Sequence, residues 1–204
     1  MNPDTTYLIR HAQTSYSARH LVNGSLRVDV PLDAAGLAAS RAFRPRWLAG
    51  VVSCRTSGFT RTRQTAEALL AGRSVPLDAD HRLNEIGYGA FEGGPWLAYG
   101  DWLRDAGRGA VPPGGDESWR DSVERMLDGL LDCLALPGPR LVVGHGLLGS
   151  VARCLTGPRT SADGHALPEA PYLEPLVLTD DQLLRLVADG RRMLGPVRAE
   201  AVAR

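Results

Sequence analysis

Two short apolar runs in this chain each stop abruptly at a histidine, and that repeated arrangement constrains the fold more than any other feature. Tyr7-Leu8-Ile9 ends at Arg10-His11, and Leu141-Val142-Val143 ends at Gly144-His145-Gly146. Each is the pattern of a strand buried in a sheet that delivers polar residues at its carboxyl end. In open parallel sheets ligands collect along that edge. Any chemistry is therefore expected where these two strands finish.

The segments between them alternate as strands and helices should. Asp33 is placed to cap a helix carrying Leu37 and Phe43 before Pro45, and Val51-Val52 reads as a second buried strand. Thr60 to Leu70 has helical spacing and stops at Gly72, and Val75 to Leu77 reads as a third strand. A helix opened by Glu117 or Ser118 puts Val123, Met126, Leu127, Leu130, Leu131 and Leu134 on one face and ends at Pro137-Gly138-Pro139, and Leu147 to Leu155 forms another. Leu173 to Leu178 and Leu183 to Val187 read as two strands joined by a turn at Asp180-Asp181, and the tail from Arg191 as frayed helix or disorder. The expectation is one domain over 1–204, an α/β fold of three layers (α/β/α) with a mostly parallel sheet. Residues 87–115, rich in Gly, Pro and aromatics, are read as a short lid above the strand carboxyl ends.

Composition narrows the chemistry. The 23 basic residues balance 23 acidic ones, so no net field favours nucleic acid or an anionic membrane. All 23 are arginine, which excludes a Schiff base, a P-loop lysine and a pyridoxal-phosphate anchor. Cys54, Cys133 and Cys154 are odd in number and widely spaced, indicating neither a disulfide framework nor a zinc site. With no leader pattern at Met1 to Thr6 and no long apolar run, the expected location is the cytoplasm.

Local anion binding is what remains. Arg10 stands beside His11, Gly144 and Gly146 leave backbone amides accessible beside His145 at a helix start, and Arg61 lies near the start of the Thr60 helix, whose amino end also favours negative charge. Taken together, these residues describe a phosphate site.

Five blocks carry a family resemblance in order along the chain: RHAQT at 10–14, SGFTRTRQTAE at 57–67, LNEIGYGAFEG at 83–93, PGGDES at 113–118 and VVGHG at 142–146. Together they resemble the histidine phosphatase superfamily, which includes the cofactor-dependent phosphoglycerate mutases. The resemblance implies that His11 attacks phosphorus, that Arg10, Arg61 and His145 bind the phosphoryl oxygens, and that Glu85 is the general acid and base. It implies a small-molecule phosphomonoester as partner and no cofactor or metal, since the arginines supply positive charge. A homodimer is left open.

The pattern also departs from the family. Many relatives carry Gly and Asn where this chain has Ala12 and Ser17; Ser17 is a shorter phosphate donor, and Asn23, in the same loop, is a candidate replacement. Gly146, Leu147 and His20 complete the candidate substrate-binding set. Asp116 is an extra residue in PGGDES with no evident consequence. Gln64 is a candidate to orient Arg61; Arg63, Glu67 and Glu92 read as helix or loop charges, with bracing the lid as the alternative for Glu92. His81 and His165 read as surface or structural residues. Trp96, Tyr99, Trp102 and Trp119 are either an apolar wall for the substrate or lid core, with lid core preferred. With only Arg104 and Arg108 as lid cations, hydrolysis through a phosphohistidine is expected ahead of mutase-type isomerisation, although Arg19, Arg27 or His20 could supply charge. An inactive phospho-ligand-binding module is the third alternative.

Overall fold

The computed structural model describes residues 4–157 and 167–195. Five strands form one sheet: β1 (Thr5–Arg10), β2 (Ser53–Thr56), β3 (Leu77–Ala79), β4 (Arg140–Gly144) and β5 (Leu176–Thr179). Their order is β3-β2-β4-β1-β5, all parallel except β5, which runs antiparallel to β1 at the edge. The late strand β4 is thus inserted between β1 and β2.

Helices cover both faces: α1 (Ala34–Ala42), α2 (Thr60–Leu69), α3 (Trp96–Ala106), α4 (Trp119–Asp132), α5 (Gly146–Thr156) and α6 (Asp180–Leu194). Alternation along the strands sorts the side chains into two cores. Leu8, Val142 and Leu178 pack with Val123, Met126, Leu127 and Leu130 of α4, with α5, and with Leu183 and Leu186 of α6. Tyr7, Ile9, Leu141 and Val143 pack on the other side with Ala66 and Leu69 of α2. The three-layer, mostly parallel α/β architecture is the one expected. On α4 the buried positions recur at helical spacing, each side chain worth roughly 1.5–3 kcal/mol of apolar burial. Ser118, not Glu117, opens that helix, through a capping box with Asp121.

The strand and helix limits differ from expectation in five places, one being β5, which begins at Leu176 rather than at Leu173, where φ is 59°. β2 begins two residues late: Val51 N–H closes the 3₁₀ turn Arg46–Gly50 by donating to Leu48 O, and Val52 is 44% exposed. β3 begins at Leu77 because Pro76 has no N–H for the ladder and contributes only its carbonyl, which accepts from Cys54 N–H. Leu183 to Val187 is not a strand but part of α6, where Leu183, Leu186, Val187 and Gly190 are buried at helical spacing behind a Thr179–Gln182 capping box. Arg191 to Leu194 is accordingly the last turn of α6 rather than a frayed tail; Arg191 pairs with Asp128 at 2.6 Å and Arg120 donates to Leu194 O. The rest of the predicted tail, 196–204, and His165 lie outside the described residues.

The lid contains a helix that composition concealed. α3 is entered from Pro95 and left at Gly107, whose φ of 86° suits glycine. The lid is fastened to the loop after His11: Trp96 N–H donates to His20 O, Val22 N–H to Gly94 O, and Gly93 N–H to Val22 O, at 2.9–3.0 Å.

Candidate active site

Strand register brings the two histidines together. β1 and β4 pair with Ile9 opposite Val143 and Arg10 opposite Gly144, so His11 and His145 leave neighbouring strands at the same level. His11 N–H donates to Gly144 O at 3.0 Å, extending the ladder by one bond. The ring centroids are 5.3 Å apart, close to the spacing of adjacent strands, and both rings are buried.

Arg61, in the first turn of α2, lies between them. Its Nε donates to His11 Nε2 and one terminal nitrogen to His145 Nδ1, each at 3.2 Å. A guanidinium cannot accept, so both imidazole nitrogens facing it are unprotonated. The network assigns the tautomers. His11 carries its proton on Nδ1 and donates to Ala12 O at 2.7 Å. His145 carries its own on Nε2 and donates to Ser57 Oγ at 2.7 Å, which is in turn hydrogen-bonded to Thr62 Oγ1 at 2.9 Å. Burial first, then the charges of Arg61 and Arg10, hold the His11 pKa well below the usual histidine value; burial and Arg61 do the same for His145. Burial also brings Arg61 down to about 10, which leaves it charged at neutral pH.

Arg10 and Glu85 close the other side. Arg10 donates to Ala170 O at 2.8 Å and to Glu169 at 3.1 Å, and its guanidinium lies 4.3 Å from the Tyr172 ring centre. Its Nε is buried with no partner among the described residues. Glu85 is buried, accepts from the N–H groups of Ile86 and Leu147, and has its pKa raised, mainly by burial. A Cβ placed on Gly146 would stand 3.7 Å from both Arg10 Nε and Glu85 Oε2, so the two side chains meet over the amino end of α5. That end, like the amino end of α2, favours an anion.

The structure thus brings His11, His145, Arg10, Arg61 and Glu85 into one cage. The remaining candidates are placed more variously. Asn23 is within the cage wall, but its Oδ1 and carbonyl accept from Arg61 at 2.6 and 2.9 Å, and its amide N–H groups are spent on Glu92 and Val28 O. It positions Arg61 and has no donor left for an oxyanion. Ser17 lines the cavity, with its hydroxyl tied to Thr14 O and Thr14 N–H. His20 sits at the mouth, its ring 6.2 Å from that of Trp96, and Leu147 lines the wall while its N–H serves Glu85. Gln64 does not orient Arg61; its carbonyl accepts from Leu32 N–H at 2.8 Å. Arg63 and Glu67 pair with each other on the surface, and His81 is exposed.

Sequence reasoning underweighted Glu92 and missed three hydroxyl residues. Glu92 binds Asn23 Nδ2 at 2.7 Å and Gly24 N–H at 2.9 Å, and so braces Arg61 through Asn23. Ser57 and Thr62 orient His145, and Thr65 accepts from Ala12 N–H while donating to Arg61 O. All three lie in the SGFTRTRQTAE block, Ser57 just after β2 and Thr62 and Thr65 on the buried face of α2, where small polar side chains were the available signal.

The cage opens into a cavity of about 580 Å³ walled on the lid side by Tyr88, Trp96, Tyr99, Leu103 and Trp119. Trp102 points instead into the lid core, against Phe91 and Tyr99. A groove of about 680 Å³ beside Gly58, Arg63 and His81 contains neither His11 nor Glu85. Among the described residues no group of three or more His, Cys, Asp or Glu could hold a metal ion, and no helix is long and apolar enough to cross a membrane.

Comparison with known proteins agrees with this geometry. "Probable phosphoglycerate mutase GpmB" of Klebsiella pneumoniae (strain 342) is 35% identical over 164 residues, covering 74% of each chain. Two solved structures share the fold. The α-ribazole phosphatase from Shigella flexneri has a TM-score of 0.59 at 23% identity, over 76% of this chain and 81% of that one. YhfR of Bacillus stearothermophilus has a TM-score of 0.62 at 24% identity, over 84% and 87%. The histidine phosphatase superfamily (branch 1) profile matches residues 6–168, and the chain belongs to that superfamily.

Proposed function

We propose that the chain is a phosphomonoesterase that cleaves a small organic phosphate through a phosphohistidine formed on His11. The observation that carries this is the state of the His11 ring: neutral, its Nδ1 proton committed to Ala12 O, and its Nε2 lone pair turned toward Arg61 in the middle of the cage. An imidazole held this way needs no separate base, and its Nε2 is freed for attack when the phosphoryl oxygens take over the Arg61 Nε–H.

The reaction follows from the placement of the groups. His11 Nε2 attacks phosphorus as the P–O bond to the alcohol breaks. Arg10, Arg61 and His145 stabilise the negative charge spread over the equatorial oxygens. Glu85, whose pKa is raised mainly by burial, gives its proton to the departing alkoxide from its protonated form. In the second half it takes a proton from water as that water attacks the phosphohistidine, releasing phosphate and regenerating neutral His11.

Hydrolysis is preferred over isomerisation because the lid offers little charge to hold a doubly anionic intermediate. Arg104 is paired with Asp101 at 2.7 Å, and Arg108 lies over the Trp119 ring at 4.5 Å. The mutase reading is favoured by the name of the Klebsiella relative. Turnover of p-nitrophenyl phosphate in EDTA by the wild type, lost in His11→Ala, is the expected result; equal, negligible rates would point to a binding module. Conversion of 3-phosphoglycerate to its isomer in the presence of 2,3-bisphosphoglycerate, without release of phosphate, would overturn hydrolysis in favour of the mutase. The three unpaired cysteines, two of them buried, support a reducing cytoplasmic location.

A further inference from the structure

Glu85 differs from the other cage residues in standing on a loop, just after the 3₁₀ turn His81–Leu83, rather than at a strand end or helix start. Its carboxyl accepts from the N–H groups of Ile86 and Leu147, so its place over the amino end of α5 depends on how the backbone of residues 84–87 runs. A direct arginine partner would fix the carboxyl more firmly but would favour its ionised form, which has no proton to donate. Gripping the backbone on either side avoids that conflict.

α4 supplies such a grip. Arg125 Nη1 donates to Arg82 O at 2.8 Å and to Asn84 O at 3.0 Å, the latter immediately before Glu85. Its Nε and Nη2 fork onto Glu117 at 3.0 and 2.6 Å, and Glu117 Oε1 accepts from Gly87 N–H at 3.2 Å, two residues after Glu85. The side chains of Arg125 and Glu117 are 25% and 20% exposed, so this two-bond fork is sheltered, unlike an open surface pair. Leu83 and Ile86, both buried, anchor the loop in the core, but apolar contacts carry no direction. The hydrogen bonds at 84 and 87 set the peptide planes that aim the Glu85 side chain.

We propose that Arg125 and Glu117 act as one clamp that positions Glu85 for proton transfer to the leaving group. Both are positioning residues, and their role rests on the phosphatase reading in which Glu85 is the general acid. The charge of Arg125 also reaches His145. An effect by that route falls on the phosphoryl group and is the same whatever alcohol departs, whereas misplacing the acid matters most for a poor leaving group.

The test compares kcat/KM for benzyl phosphate, which releases a strongly basic alkoxide, with that for p-nitrophenyl phosphate, which does not. Arg125→Ala is expected to lower the benzyl value by about 10-fold or more and the nitrophenyl value by at most about 3-fold. Glu117→Ala should show the same selective loss, and the double variant no greater loss than either single one. Added to Glu85→Gln, Arg125→Ala should change the benzyl value by less than about 2-fold, because the group it positions is gone. Thermal unfolding is followed for each variant; where Arg125→Ala does not fold, Arg125→Lys and Glu117→Gln carry the same comparison with a smaller selective loss. Equal losses on both substrates, or a full further loss in the Glu85→Gln background, overturn the clamp while leaving the phosphatase reading intact. No phosphate release from either compound by the wild type overturns both.

Discussion

The phosphate cage and the lid wall face each other across one cavity and are built on opposite terms. In the cage polar atoms other than Arg10 Nε are closely paired: Arg61 alone makes four hydrogen bonds, to His11, His145 and twice to Asn23. Its parts come from strand ends and helix starts, which pack into the two cores. The lid wall is aromatic, carries its cations on other partners, and leaves one hydroxyl unpaired. A cage with fixed donors serves the group common to every phosphomonoester, whereas the part of the wall carried on α3 can change without disturbing that chemistry. The chemistry and the choice of substrate are therefore separable in this molecule.

The largest expected effect that sharpens this separation is at Glu85. Glu85→Gln should lower kcat by about 10²–10⁴ for an alkyl phosphate, and much less for p-nitrophenyl phosphate, whose leaving group needs little protonation. The pH profile should change with it. His11 must be unprotonated and its pKa is lowered below 6.5, so kcat/KM climbs as pH rises through that depressed value. Glu85 must be protonated and its pKa is raised above 4.5, so kcat/KM falls as pH passes that raised value. The wild-type profile should be a bell, and Glu85→Gln should lack the alkaline limb. An unchanged alkaline limb in the variant would assign it to another group.

A smaller effect is expected where the lid reaches into the cage. Glu92 follows the 3₁₀ turn Gly89–Phe91 and holds Asn23 and Gly24, and Asn23 holds Arg61. Glu92→Ala should reduce kcat/KM about 10-fold, the scale of a hydrogen bond to a charged group. The pH profile should stay put, and Glu92→Gln, which keeps an acceptor, should recover part of the loss. An equal loss on every substrate tested would place Glu92 with the cage, whereas a loss that varies with the organic group would place it with the lid wall and blur the division between the two.

The same division governs what could be read from the residues beforehand. The histidines and arginines of the cage were legible because they sit at strand ends or helix starts, where a change from apolar to polar is visible locally, whereas Glu85, in the loop after Leu83, was named only through the family resemblance. That Ile9 lies opposite Val143, and so puts the two histidines level, required the pairing of strands far apart in the chain. The Ser57–His145 contact spans 88 positions and leaves no local pattern. In α6, Leu183 to Val187 fits alternation as well as helical spacing, and the Thr179…Gln182 cap was the sign that decides between them. The lid was hardest, because its aromatics serve both readings: Tyr99 and Trp119 are buried in the core and also line the cavity, Trp102 packs against that core, and Trp96 is half exposed at the cavity wall. Asn23 was singled out as a phosphate donor, but the structure turns its amide donors to Val28 O and Glu92 and leaves it as a support for Arg61.

The central claim is that phosphorus passes through the imidazole of His11. Mixing the protein with a phosphomonoester, quenching within the first turnover in alkaline denaturant and mapping the adduct by mass spectrometry tests it directly. The expected result is a phosphoryl group on His11, stable in base, lost in acid and absent from His11→Ala. Continued phosphate release with the adduct on another residue, or with none at any time in the first turnover, would contradict it.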